Sequence, residues 1–90
     1  MNDEQVLNLQ KALVRGHGVE VKQLKTLLQF KTTGAYREAK HRLEALNDRI
    51  EFEHANGCFE GKEDNELQKL VEDQASDLRW IGMMIESPRD

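Results

Sequence analysis

The stretch AYREAKHRLEALNDRIEFEH, residues 35–54, decides the fold. Its apolar positions Tyr36, Ala39, Leu43, Leu46 and Ile50 recur at steps of three, four, three and four. That spacing gathers them on one face of a helix and makes the kind of seam by which one helix packs on another. Asn56-Gly57 follows, and a glycine there ends a helix by taking the left-handed conformation just past its last turn. Ahead of the seam stands Lys31-Thr32-Thr33-Gly34, whose hydroxyls suit the first, capping position of a helix.

Working toward the C-terminus, Leu67, Val71, Leu78, Ile81 and Ile85 repeat the helical spacing after Asp64 or Asn65, with Leu70 and Ala75 flanking. The segment is expected to end near Glu86, because Pro88 disfavours a helical residue before it. Two seams joined by a short polar loop predict an antiparallel helical hairpin, residues 32–57 and 63–87. Trp80, Met83 and Met84, around the end of the second arm, are expected to fill core or subunit contacts.

Working toward the N-terminus, Asp3 to Arg15 places Val6, Leu9 and Leu13 on one stripe with Leu7 and Val14 beside it, capped by Asn2 or Asp3. Gly16-His17-Gly18 is expected to break that helix, since two glycines so close are costly in a helix interior. Val21, Leu24, Leu27 and Leu28 carry a second short helix from Val19 to about Phe30. No series of alternating Val, Ile and Thr runs offers a β domain. The fold class is therefore all-α, a single domain over 1–90. An N-terminal helix, or two short helices over 1–31, precedes a long antiparallel hairpin. One local alternative stands: residues 49–60 also read as a β-hairpin turning at Asn56-Gly57.

The chain has 90 residues, of which 38% are hydrophobic and 33% charged, enough for one modest core. Association with further copies is a natural source of added stability at this size, so an oligomer is expected. No run reaches the roughly 18 apolar residues of a spanning helix, and the start, Met1-Asn2-Asp3-Glu4, is acidic and polar, which suggests a cytoplasmic protein. One cysteine, Cys58, makes neither an internal disulfide nor, alone, a zinc site. The net charge of −4 hides an asymmetry. Residues 11–49 carry nine Lys and Arg against four acids, and residues 50–90 carry four against eleven. Such segregation points to an anion as the partner of the first half, although charged helical faces are often simply solvated.

Catalytic patterns are sparse. Glu51-x-x-His54 has the spacing of a di-iron helix pair but lacks the second pair that such a site needs, and His54 with Cys58 gives only two zinc ligands. No hydrolase, Walker or dinucleotide motif is present, so neither an enzyme, a metal nor a cofactor is expected. The richest cluster is Lys31-Thr32-Thr33-Gly34-Ala35-Tyr36-Arg37. It combines cations, hydroxyls, helix-start amides and an aromatic ring, which are the groups that bind phosphate and stack on a base. The plain alternative is that a threonine caps the helix while Lys31 and Arg37 are surface charges.

Lys31-x-Thr33-Gly34 followed by Tyr36-Arg37-Glu38, with Leu46 and Ile50 along the same helix and Arg79-Trp80 in the last one, resembles the phage sponge proteins that counter cyclic-oligonucleotide-based antiphage signalling. The resemblance covers about two thirds of the chain. It implies binding without catalysis in the host cytoplasm: a hexamer that traps cyclic dinucleotides at its subunit interfaces, with Lys31 and Thr33 on the phosphates. The ligand-binding set is then Lys31, Thr32, Thr33, Gly34, Tyr36 and Arg37. The family's base-stacking ring in the first helix has no aromatic counterpart, since no Phe, Tyr or Trp precedes Phe30, which leaves His17 to take that place.

Two other classes compete. In a winged helix-turn-helix DNA-binding regulator, residues 35–46 form the recognition helix, presenting Tyr36, Arg37, Lys40, His41 and Arg42, and residues 49–60 form the wing. The acidic residues Glu51, Glu53 and Glu60 in that wing argue against it, because duplex DNA repels them. In the third class the chain is an acidic helical inhibitor that docks on a host protein.

Overall fold

The computed structural model describes residues 2–59 and 64–86, and among these the secondary structure is three helices with no strand. Helix α1 spans Asp3–Gln29, α2 spans Thr33–Ala55 and α3 spans Asn65–Glu86.

Each helix starts where its sequence supplies a cap. The Asn2 side chain accepts the Gln5 N–H at 2.8 Å while Gln5 Oε1 accepts the Asn2 N–H at 3.1 Å, a reciprocal capping box. Asp3 and Glu4 occupy the first turn, where the helix dipole favours negative charge. Thr32 caps α2 by accepting the Ala35 N–H at 3.1 Å, and Asp64 caps α3 by accepting the Leu67 N–H at 2.9 Å. The end of α2 is equally well specified. Gly57 sits at φ 75°, its N–H donates to His54 C=O, and the Cys58 N–H donates to Glu53 C=O, which together form a Schellman motif.

The expected break at Gly16-His17-Gly18 does not occur: α1 runs unbroken for 27 residues. Val14, His17, Val21, Leu24 and Leu28 form one continuous buried face across the glycines. Its packing outweighs the roughly 1 kcal/mol that each glycine costs relative to alanine. The expected stripe of Val6, Leu9 and Leu13 is also displaced. The buried face begins at Gln10, while Leu9 points outward. The β-hairpin over 49–60 is overturned as well, because residues 49–55 are the last turns of α2 and Ile50 continues its seam against the core. With it goes the wing of the DNA-binding reading. Pro88, the expected stop of α3, and Glu60, the acid assigned to the wing, lie outside the described residues.

Each pair of helices is in contact. Arg49 reaches Glu20 and Glu53 reaches His17, so α1 and α2 run in opposite directions. Lys11 with Glu66 and Lys25 with Asp77 set α1 and α3 in the same direction. The core joins Val21, Leu24 and Leu28 of α1 to Tyr36, Ala39, Leu43 and Leu46 of α2 and to Ile81 of α3. Leu24, Leu46 and Ile81 are its largest fully buried side chains; burying each contributes about 1.5–3 kcal/mol. Met84 packs at its margin, whereas Trp80 and Met83 are exposed in the single chain, which leaves subunit contacts as the expected place for those two. The molecule is elongated, 51 × 21 × 17 Å.

Candidate functional site

At one end of the molecule the chain turns from α1 into α2 in three residues. Phe30 closes α1, its N–H donating to the carbonyls of Leu27 and Leu28. Lys31 follows at φ 53°, the only non-glycine residue in the left-handed region among those described. The conformation reverses the chain so that Thr32, at φ −110° and ψ 155°, enters α2 as its cap. Thr33 and Gly34 then lie in the first turn, where a helix offers backbone N–H groups that have no internal acceptor. A Cβ on Gly34 would meet nothing within 4 Å, so packing does not demand glycine; its absence leaves the first-turn amides open to approach.

This corner brings together Lys31, Thr32, Thr33, Gly34 and Arg37, all of them exposed. Lys31, Arg37 and Lys40 have no ion pair among the described residues, whereas Arg42 is held by Glu38 at 3.1 Å. The arrangement can hold an anion by three means: amides at the positive end of a helix dipole, the Thr33 hydroxyl, and two side-chain cations. The Thr32 hydroxyl is already engaged in capping.

Two members of the sequence-based set are placed elsewhere. Tyr36 is 5% exposed and belongs to the core, so its ring does not stand free to stack on a base. His17 is 6% exposed and lies fourteen residues before Lys31 on α1; at 1.5 Å per residue that is about 20 Å away. It is not a ring at the corner. Its Nε2 lies 2.7 Å from Glu53 Oε1, and its Nδ1 faces Glu20 at 3.9 Å. Glu20 also accepts a hydrogen bond from Arg49, which holds that guanidinium's pKa above its ordinary value.

The sequence reading missed this polar network and a second set of ties along α1. Gln10 Nε2 donates to Cys58 C=O at 2.7 Å, while its buried Oε1 has no partner among the described residues. Gln74 Nε2 donates to Val14 C=O at 2.8 Å. Lys11 and Arg15 both reach Glu66, fixing the start of α3 to α1. The signal was present: Gln10 and His17 fall on the same helical face as Val14, Val21, Leu24 and Leu28. A polar residue on such a face needs a partner across the core.

Elsewhere, Glu51 and His54 are exposed, and the His54 ring instead meets Phe59, centroids 4.7 Å apart. Cys58 is exposed and free. Among the described residues no three His, Cys, Asp or Glu side chains are grouped to hold a metal ion, and no helix is long and apolar enough to cross a membrane. Comparison with protein-family models, with curated proteins and with solved structures finds no match to this chain.

Proposed function

We propose that the protein is a non-catalytic binder of cyclic oligonucleotides that sequesters a second messenger at the α1–α2 corner. One observation carries the reading. A lysine in the left-handed conformation is followed immediately by a threonine-capped helix start, with an exposed second threonine and an exposed arginine one turn on. Hydroxyl, amides and two cations facing solvent from seven consecutive residues suit a phosphate diester, which carries one negative charge and offers two acceptor oxygens.

The resemblance to the phage sponge proteins of antiphage signalling adds the rest of the proposal. A cyclic dinucleotide has two phosphates related by symmetry. A homo-oligomer, a hexamer in that family, presents the same corner more than once and matches that symmetry. In this reading α2 and α3 are the two arms of the helical hairpin. Lys31 and Thr33 contact the phosphates, Arg37 adds charge, and Thr32 and Gly34 shape the turn. Base stacking is left to a residue other than Tyr36 or His17.

Isothermal titration calorimetry with a panel of cyclic dinucleotides and trinucleotides tests the proposal. Binding is expected for at least one ligand, weakened by Lys31→Ala and by Thr33→Ala with helicity unchanged. A panel without heat overturns it. A mobility shift with random duplex DNA at low salt, lost steeply as salt rises, would instead favour the DNA-binding class.

A further inference from the structure

The outer face of α1 carries a second seam that nothing in this chain covers. Gln5, Leu9, Ala12, Gly16, Val19, Gln23, Thr26 and Phe30 recur at alternating steps of four and three, and every one of them is exposed. None is charged, in a sequence of which 33% is charged. Leu9, Val19 and Phe30, exposed by 56%, 58% and 65%, are half of the large exposed hydrophobic residues described. The stripe runs about 38 Å at 1.5 Å per residue, nearly the whole of α1. Its spacing is the 3.5-residue repeat by which two helices pair along their length. At its middle, Gly16 would accept a Cβ without meeting any atom within 4 Å. The fold of the single chain therefore gives no reason for glycine there, whereas close approach of a second helix does.

We propose that this face of α1 is a homodimer interface, occupied by α1 of a second copy lying parallel to it. The charges flanking the stripe select copy and direction. Arg15 precedes Gly16 on one flank and Glu20 follows Val19 on the other. Arg15 and Glu20 each hold a partner within the chain, Glu66 and Arg49, and both side chains keep exposed surface; in a parallel pair these positions of opposite copies face each other, so symmetry makes the Arg15–Glu20 attraction twice. An antiparallel pair centred on Gly16 and Val19 instead brings Arg15 of one copy onto the same flank as Lys22 of the other, cation against cation.

The chain exposes 6522 Å², more than the about 5,400 Å² of a compact monomer of 10.4 kDa, as its elongated shape requires. The interface lies on the far side of α1 from the core. It stands independently of the ligand reading and is tested without ligand.

Light scattering of the intact protein across a wide concentration range is expected to give the mass of two copies or a multiple. Val19→Glu, a change on an already exposed side chain, is expected to weaken association by about tenfold or more, the factor that 1.4 kcal/mol carries, with helicity by circular dichroism unchanged. Direction is read by crosslinking in a Cys58→Ser background. Gly16→Cys is expected to form a disulfide with its own equivalent on oxidation. A monomer at every concentration, or an oligomer indifferent to Val19→Glu, overturns the interface. A Gly16→Cys protein that crosslinks only when mixed with a Val19→Cys protein overturns the parallel arrangement.

Discussion

His17 and Glu53, 36 residues apart in sequence, meet at 2.7 Å between α1 and α2 with their side chains largely covered. The contact fixes both the register and the opposed direction of the two helices. Removing the imidazole leaves a covered carboxylate without its donor, which costs about 1–3 kcal/mol. His17→Ala is therefore expected to lower the unfolding free energy by that amount, read as a fall in the urea midpoint at constant m-value, and Glu53→Gln, which keeps shape and an acceptor, by less. Equal midpoints for His17→Ala and the parent would show that the pair is idle.

The adjacent threonines are expected to separate. Thr32 accepts the Ala35 N–H, so Thr32→Ala should cost about 1 kcal/mol of stability through loss of the cap. Thr33 makes no such bond, and Thr33→Ala should leave the thermal midpoint within experimental scatter while weakening the ligand. A Thr33→Ala protein that unfolds as early as Thr32→Ala would contradict the division of labour.

Lys31 offers the converse test. A lysine at φ 53° carries a conformational cost of about 1 kcal/mol that glycine avoids. Lys31→Gly should therefore unfold no earlier than the parent, while losing one of the two cations of the corner. Stability retained and calorimetric affinity reduced is the expected pattern.

Gly16→Ala is expected to stabilise the folded monomer. The position is mid-helix and a Cβ meets nothing within 4 Å. The gain should be about 0.5–1 kcal/mol, several degrees in thermal midpoint for a domain of this size, read at low protein concentration.

The parts of the fold that were legible in the sequence are those specified locally. The seam from Tyr36 to Ile50, the threonine cap before it and the glycine after it lie within one continuous stretch, and α2 is built as that stretch reads. Helix α1 follows the single-helix alternative for the N-terminal segment, and the break at Gly16-His17-Gly18 follows only if the two glycines act by propensity alone. The face that carries the chain through them includes Gln10 and His17, which do not look apolar and are recognisable as core only once Cys58 and Glu53 stand opposite. The Asn56-Gly57 pair was right as a stop but ambiguous as a turn, and Ile50 decides it by continuing the helical seam. At the candidate site the local chemistry of Lys31 to Arg37 was readable. Tyr36's burial and His17's distance follow from how the three helices close on one another, which no single segment contains.

The 51 Å length against a 21 × 17 Å cross-section has a hydrodynamic consequence. A particle of that shape meets more friction than a sphere of equal mass and tumbles more slowly about its short axes than about its long one. Amide relaxation rates should accordingly depend on how each N–H bond is oriented to the long axis, with the three helices sharing one slow component. Gel-filtration columns will rank a single copy as heavier than it weighs, so copy number is properly read from scattered intensity or from sedimentation equilibrium.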